Sequence, residues 1–257
     1  METETVLVVG QGEVGKPMAE ILSSVYRVVT KDIDPLNLSE PVGVMHICYP
    51  YRGADFVGTT IDYISQYGPA LTVIHTTVPP GTTRAVEYRS HQPVAYSAVR
   101  GKHSAMVKDI LSFTKYVSAI KQEPLQQATD HLSRAGMRVK SFSSPEALEL
   151  AKLQETTYFG LLIAWAQEVE RYCKKLGLDY NEVMQLTEEV DYLPSVIFQP
   201  GFIGGHCVMP NIELLETIRP SPFLEVIKQS NAIKAREWLE AGRRLEERLI
   251  PKASKAG

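Results

Sequence analysis

The sequence is short of cysteine, of excess charge and of long apolar runs, and each shortage excludes a class of protein. Its three cysteines, Cys48, Cys173 and Cys207, lie far apart without a CxxC pair, which argues against a disulfide framework or a zinc site. A net charge of -3 over 257 residues gives no general attraction for a nucleic acid backbone. The apolar run near the N-terminus is too short for a secretory signal or a membrane span. We therefore expect a soluble cytoplasmic protein that binds neither nucleic acid nor membranes.

The first half of the chain alternates apolar runs with amphipathic stretches of helix length. Runs without polar interruption, bounded by turn residues, are typical of strands that are covered on both faces in a parallel sheet. The runs lie at 6–9, 44–48, 71–74, 116–120 and 138–142. This alternation predicts an α/β fold, with a Rossmann-type doubly wound sheet in a domain of residues 1–144.

The second half lacks strand patterns. The segment Ser143-Ser-Pro-Glu146 combines an N-cap serine, an early proline and a glutamate, and no further proline occurs before Leu176. Apolar residues recur there at helical spacing, which predicts one helix of about thirty residues, whereas the usual mean is roughly eleven or twelve. So long a helix needs cover from a second domain or subunit, and we expect a homodimer built on it. We predict an all-helical domain over 145–250, with a glycine-rich loop at 200–207, and a frayed tail at 251–257.

A glycine pattern directly follows the first predicted strand. Gly10-Gln-Gly12-Glu13-Val14-Gly15 is a GxGxxG sequence between a buried strand and a helix, and Asp32 ends the next strand. Glycines here permit a tight turn, close approach of a pyrophosphate and close helix packing, while the helix N-terminus donates to the phosphate. The Asp32 carboxylate suits the ribose hydroxyls and favours NAD over NADP, although Lys31 weakens that preference. The candidate cofactor-binding residues in this region are Gly10, Gly12, Glu13, Val14, Gly15 and Asp32.

Three later segments resemble motifs of the UDP-glucose/GDP-mannose dehydrogenase family in the same order and spacing. The segment His75-Thr-Thr-Val-Pro-Pro-Gly-Thr-Thr83 resembles that family's STVPPGTT loop, and Leu148 to Tyr158 resembles its AELAKLxEN helix. Gly204-Gly-His-Cys-Val-Met-Pro210 resembles its GGHCxxP loop. The resemblance implies that NAD is used twice to oxidise a sugar's primary alcohol to a carboxylate, through a thiohemiacetal and a thioester on the loop cysteine.

The resemblance also implies roles for single residues. Cys207 would be the nucleophile, Lys152 would stabilise the oxyanion, and Thr77 would contact the nicotinamide end of the cofactor. The residues themselves support part of this, because a cysteine after two glycines lies where the backbone bends tightly, beside His206, which favours a thiolate. Lys152 lies one turn before Thr156 among apolar neighbours, where an ammonium can act on a carbonyl oxygen.

Three positions depart from the family pattern. Val99 stands where a stretch similar to the CPER motif has glutamate, Thr156 replaces an asparagine, and Asn211 replaces an aspartate. Two of these positions supply the carboxylates that position or activate water, so we expect thioester hydrolysis to be impaired. His103 and Glu155 are the nearest candidates for a replacement base. The candidate catalytic residues are Cys207, Lys152, Thr156 and Asn211, and the candidate substrate contacts are Arg100, His103, Gly204, Gly205 and His206.

Members of the family hold the nucleotide of a sugar nucleotide with a further α/β domain, and from the resemblance we expect that domain to be missing here. We therefore expect a substrate without a nucleotide, a nucleotide held by a partner subunit, or a truncated form. The leading interpretation is an oxidoreductase that transfers hydride between NAD and an alcohol or aldehyde carbon of a sugar or sugar-nucleotide-like substrate. A second is a non-covalent enzyme similar to the β-hydroxyacid dehydrogenases, whose paired asparagines this sequence lacks. A third is an NAD-binding protein with reduced turnover, such as a sensor or assembly subunit.

Overall fold

The computed structural model describes residues 5–53, 55–101, 103–187, 190–191, 193–194, 196–205 and 207–242. Contacts divide the chain into two compact units, Met1–Lys152 and Leu153–Gly257. The domain boundary at 144 stays a prediction, and the tail at 251–257 lies outside the described residues. In the part of the chain described above, no helix is both long and apolar enough to cross a membrane.

The first unit is built on a seven-stranded sheet in the order β2-β1-β3-β4-β5-β6-β7. All neighbouring strands run parallel except β5 and β6. The strands are β1 (Thr5–Val9), β2 (Arg27–Lys31), β3 (Val44–Ile47), β4 (Leu71–Ile74), β5 (Val94–Tyr96), β6 (Lys115–Ala119) and β7 (Val139–Ser141). The strand order reverses between β1 and β3, which is where α/β sheets bind their ligands. This confirms the predicted α/β fold class.

Helices cover both faces of this sheet. They are α1 (Gly15–Leu22), α2 (Asp55–Tyr67), α3 (Thr82–Ser90), α4 (Met106–Ser112) and α5 (Gln122–Arg134). Alternate residues of β1 enter two separate cores, Val6 and Val8 in one, Leu7 and Val9 in the other. Both sets are buried, which explains why the strand is apolar without interruption.

Strand β6 runs antiparallel to β5, a direction that the apolar runs of the sequence do not indicate. The chain leaves β5 at the carboxyl edge of the parallel strands, and β6 begins at that same edge. The connection contains only a short 3-10 helix, His103–Ala105, and α4, and it does not return to the amino edge. A parallel strand needs that return crossing, so β6 runs in the opposite direction.

All regular elements in the described part of the second unit are helices, and they include most of a long helix. Its helices are α6 (Pro145–Leu176, which begins in the first unit), α7 (Tyr180–Gln185), α8 (Val208–Ile218) and α9 (Pro222–Glu240). The 32-residue α6 confirms the predicted long helix. Ile163 of α6, Ile212 of α8 and Ile227 of α9 lie in one buried cluster.

Candidate functional site

The glycine turn connects β1 to α1, and at two of its three glycines there is no room for a side chain. Gly10 has a φ of 93°, and a Cβ there would lie 2.5 Å from the backbone nitrogen of Tyr49. A Cβ on Gly15 would lie 1.7 Å from the Gly10 carbonyl oxygen, so both positions need glycine. A Cβ on Gly12 would meet nothing within 4 Å. The backbone at Gly12 is thus open to a ligand, and the N-cap residue Val14 carries no side-chain acceptor, which suits a pyrophosphate at the start of α1.

Asp32 lies beside this turn. Its side chain is exposed, and its Oδ1 accepts a hydrogen bond from the Gln11 backbone nitrogen at 3.3 Å. The ammonium of Lys31 donates to the carbonyl of Asp32 and lies 5.7 Å from the ring centroid of Tyr63. Lys31 is therefore bound to protein groups, and the arrangement suits a ribose better than a 2′-phosphate. Glu13, the other acidic candidate, is exposed.

A buried carboxylate of α6 holds the loop that follows β4. Glu149 is fully buried, and its Oε2 accepts a hydrogen bond from the Gly81 nitrogen at 2.6 Å. Its Oε1 accepts from the nitrogen of Thr83 at 2.8 Å and from its hydroxyl at 2.6 Å. Burial raises the pKa of Glu149. Because the N-cap of α3 is a glycine, this carboxylate supplies the missing cap and fixes the loop that contains half-buried Thr77.

Sequence analysis did not single out Glu149. Its only signal is its place in the segment similar to the AELAK motif, three residues before Lys152. Glutamates on long helices are usually solvated, so nothing local to the sequence distinguishes this one.

The other candidates of the first unit lie in different surroundings. Arg100 donates from Nη2 to the carbonyl of Thr114 at 2.6 Å, and its guanidinium lies 5.3 Å from the ring centroid of Tyr116. Arg100 is thus anchored by protein groups, and its contact with substrate stays a prediction. Lys152 is half-buried on α6. His103 begins the 3-10 helix, and its side chain lies outside the described part of the structure.

The three cysteines differ in exposure. Cys48 and Cys173 are buried, and burial raises the pKa of Cys48 to about 12. Cys207 is an exposed thiol at the N-terminal end of α8. A helix N-terminus favours negative charge, which suits a nucleophilic thiolate.

The glycine-rich loop before α8 is anchored by buried amide side chains. Gln167 of α6 donates from Nε2 to the carbonyl of Gly201 at 2.6 Å. Asn231 of α9 accepts from the Ile203 nitrogen at 2.7 Å and donates to its carbonyl at 2.9 Å. Sequence analysis missed both side chains, because their partners are backbone groups of a distant segment.

The loop then leads into the predicted substrate contacts. Gly204 and Gly205 are exposed, and Gly205 has a φ of 81°, which glycine adopts without strain. His206 lies outside the described residues.

Helix α8 packs on α6 at two points. A Cβ on Gly160 would lie 2.5 Å from Cγ1 of Val208, so the single glycine of α6 permits close approach. One turn along α8, the buried Asn211 donates from Nδ2 to the hydroxyl oxygen of Thr156 at 2.8 Å. Thr156 in turn donates to the carbonyl of Leu153 at 3.0 Å. Thr156 and Asn211, which both depart from the family pattern, are therefore hydrogen-bonded to each other as neutral groups. Neither can act as a carboxylate base.

Comparison with known proteins shows a family likeness for part of the chain. Residues 146–232 match the central domain of the UDP-glucose/GDP-mannose dehydrogenase family. The UDP-N-acetyl-D-mannosamine dehydrogenase of Methanocaldococcus jannaschii is 22% identical over 60% of this chain and 37% of its own length. The structure of a UDP-D-ManNAc dehydrogenase from Pyrococcus horikoshii has a TM-score of 0.76 at 21% identity, covering 93% of this chain and 70% of that one. A UDP-glucose dehydrogenase from Pyrobaculum islandicum has a TM-score of 0.80 at 18% identity, with the same coverage.

The chain spans about two fifths of the length of the first curated relatives it matches, for example 42% of the enzyme from Methanococcus vannielii. The structural likeness confirms the fold, and the matched central domain contains both the lysine helix and the cysteine loop. Residues 146–232 are therefore similar to the central domain of the UDP-glucose/GDP-mannose dehydrogenase family.

Proposed function

We propose that this chain is an NAD-dependent dehydrogenase that acts on a primary alcohol or aldehyde carbon of a sugar or sugar nucleotide, with Cys207 as nucleophile. The observation that carries the proposal is the open backbone at Gly12, between a buried strand and a helix N-terminus, in a chain with this family's central domain. Relatives named for their activity on UDP-sugars support the substrate class.

In this proposal, the glycine turn and the first turn of α1 bind the pyrophosphate through backbone N–H groups. Asp32 accepts the ribose hydroxyls, and Thr77 contacts the nicotinamide end, as the family resemblance implies. When bound, NAD supplies the hydride acceptor. The Asp32 carboxylate disfavours a 2′-phosphate, so the chain uses NAD rather than NADP.

The covalent step begins from the aldehyde that the first oxidation leaves. The sulfur of Cys207 forms a bond to the aldehyde carbon, the carbonyl oxygen takes up a proton, and a thiohemiacetal results. Lys152 stabilises the developing charge on that oxygen. A second oxidation at the same carbon, which removes a hydride and the hydroxyl proton, gives a thioester, whose sulfur–carbon bond water must then break.

Release of the acid is the slow step in this proposal. Val99 is buried among apolar side chains, and Asn211 is bonded to Thr156, so neither can activate water. We expect an acyl-enzyme that accumulates, or a single oxidation that ends at the aldehyde.

NADH formation with a panel of sugar nucleotides, free sugars and hydroxyacids tests the proposal, scored as one or two hydrides per substrate. Intact-protein mass spectrometry of quenched reactions should show an adduct that Cys207→Ala and Cys207→Ser both lose. NADH formation at the wild-type rate by Cys207→Ala would instead select the non-covalent alternative. Binding of NAD without turnover of any substrate would select the NAD-binding protein.

A homodimer along α6 completes the proposal. Large apolar side chains of this helix stay exposed in the single chain, including Tyr158 at 52%, Trp165 at 60% and Leu176 at 69%. Exposed apolar side chains on one long helix are typical of a subunit interface. Sedimentation at tens of micromolar should show a dimer, and Trp165→Glu should shift it towards the monomer. A wild-type monomer would contradict this part of the proposal.

A further inference from the structure

Residues 113–116 lie at the carboxyl edge of the sheet because β6 runs antiparallel to β5. Tyr96 of β5 pairs with Ser118 of β6, so the first residues of β6 lie beyond the end of β5. Extended in the same register, the pairing places Arg100 opposite Thr114. A parallel β6 would instead bring its last residues to this edge. The reversed strand therefore brings residues 113–116 alongside Arg100, a candidate substrate contact.

The guanidinium of Arg100 is held by three of these four residues. Its Nη2 donates to the carbonyl of Thr114 at 2.6 Å. Its central carbon lies 5.3 Å from the ring centroid of Tyr116 and 5.7 Å from that of Phe113, within the range of cation–π attraction. Arg100 is only half-buried, so part of its fork of N–H donors remains open to a ligand.

The fourth residue, Lys115, holds the backbone that leads to Arg100. Lys115 is 3% exposed, and its Nζ donates to the carbonyls of Ser97 and Ala98 at 3.2 and 3.0 Å. The hydroxyl of Ser97 donates to the carbonyl of Tyr116 at 3.0 Å. Strand β5 ends just before Ser97, so these bonds fix the chain beyond the strand itself.

Buried imidazoles lie behind Lys115. Its Nζ lies 3.3 Å from Nδ1 of His75, which directly follows β4. Nε2 of His75 lies 2.8 Å from Nδ1 of His46, and Nε2 of His46 lies 3.0 Å from Nε2 of His131. All three rings are at most 4% exposed. Close packing on this side leaves the Lys115 side chain little freedom to move.

The bonds of Lys115 to the backbone do not depend on its charge. Burial lowers the pKa of Lys115 to about 7, and the charged or titratable groups that face it are Cys48, His75, Arg100 and Lys152. An ammonium has three hydrogens and a neutral amine has two, so either form can donate to both carbonyls. Lys115 therefore holds the backbone on both sides of neutral pH.

We propose that residues 113–116 position Arg100 to bind an acceptor oxygen of the substrate. Lys115 fixes the backbone before Arg100, while the Thr114 carbonyl and the two aromatic rings fix its guanidinium. The planar fork of arginine binds well only in a defined orientation, and a group that is ordered before binding loses less freedom when it binds. The inference rests on the proposed function, which supplies the substrate.

Modification by phenylglyoxal tests the hold on Arg100 without any substrate. Peptide mass spectrometry of the full chain gives the rate at Arg100 relative to the exposed Arg89. Phe113→Ala and Lys115→Met should each raise this ratio about threefold or more, whereas Lys140→Met, which removes an exposed lysine of β7, should not change it. Phe113 is 46% exposed, so its variant should fold whether or not Lys115→Met does. An unchanged ratio in Phe113→Ala would overturn the proposal.

A double-mutant cycle on NADH formation tests the link to the substrate. Arg100→Ala and Lys115→Met should each raise KM about tenfold with little change in kcat. If Lys115 acts through Arg100, the double variant should have the KM of Arg100→Ala alone. A rise of about a hundredfold in the double variant would overturn the proposal, because independent effects multiply. A fall in kcat with an unchanged KM in Lys115→Met would also overturn it.

Phe113→Ala provides the same cycle with an exposed side chain. We expect KM to rise about threefold in the wild-type background and not at all in the Arg100→Ala background. Equal rises in both backgrounds would overturn the proposal. If no substrate yields NADH with the wild type, the proposed function fails, and the phenylglyoxal rates alone decide whether residues 113–116 hold Arg100.

Discussion

The buried histidines should make the protein unusually sensitive to mild acid. Burial lowers the pKa values of His46, His75 and His131 from their ordinary value of 6.5, so the folded chain keeps these rings neutral while the unfolded chain protonates them. The unfolded state binds more protons below pH 6.5, and stability therefore falls as pH falls, until each folded-state pKa is reached. Between pH 7.5 and pH 5.0, each of these histidines lowers the free energy of unfolding by about 2 kcal/mol. Three rings cost about 6 kcal/mol, much of the stability of a typical domain.

Urea unfolding followed by circular dichroism at several pH values measures this slope. His131→Phe keeps the stacking on Tyr26, whose ring lies 4.4 Å from that of His131, and removes one titrating group. Below pH 6.5, the free energy of unfolding of the variant should therefore change with pH less steeply than that of the wild type, by about 1.4 kcal/mol per pH unit. Tyr26→Phe removes a hydrogen bond to the His131 carbonyl but no histidine, so it should lower stability without changing the slope.

Glu149 changes the stability with pH in the direction opposite to the histidines. A comparison between variants is therefore more decisive than the total slope of stability against pH. Burial raises the pKa of Glu149, so the folded state gains stability from this carboxyl as the pH falls. An unchanged slope in His131→Phe would refute the reasoning, because it would mean that His131 takes up a proton in the folded state.

Further variants test the contacts around the candidate site. Glu149→Ala leaves buried N–H donors unsatisfied and should lower the free energy of unfolding by about 3 kcal/mol, whereas Glu146→Ala, which breaks an exposed ion pair, should have little effect in the same urea titration. Gly160→Ala should destabilise the chain by roughly 1 to 3 kcal/mol despite the better helix propensity of alanine, and Val208→Ala should restore stability if the close contact is the cause. Asn211→Asp should raise the number of NADH molecules formed per substrate towards two, and an unchanged number would argue that this position does not limit acid release.

The sequence predicts most elements whose pattern is strong. The apolar runs of β1, β3 and β4 and the proline-free α6 all appear within a residue or two of their predicted bounds. Helix α3 and strand β5 were not predicted. The helix is polar and starts at Thr82 after two prolines and a glycine, and the strand has only three residues, Val94–Tyr96. Both are fixed by packing rather than by a local pattern.

The candidate site was only partly visible in the sequence. The glycine turn is local, so its three glycines indicate both the turn and its ligand. The contacts of Glu149 with Gly81 and Thr83, and of His46 with His131, join segments far apart along the chain. A single histidine inside an apolar run predicts burial of that run, but it does not identify the partner that makes burial tolerable.

Titration calorimetry with NADH tests the central claim of a dinucleotide site on the glycine turn most directly. The wild type should bind NADH more tightly than NADPH. Gly12→Val should abolish binding while the protein unfolds at the same urea concentration, because a Cβ at Gly12 meets no protein atom within 4 Å. Undiminished binding by Gly12→Val, or equal or tighter binding of NADPH by the wild type, would contradict the account.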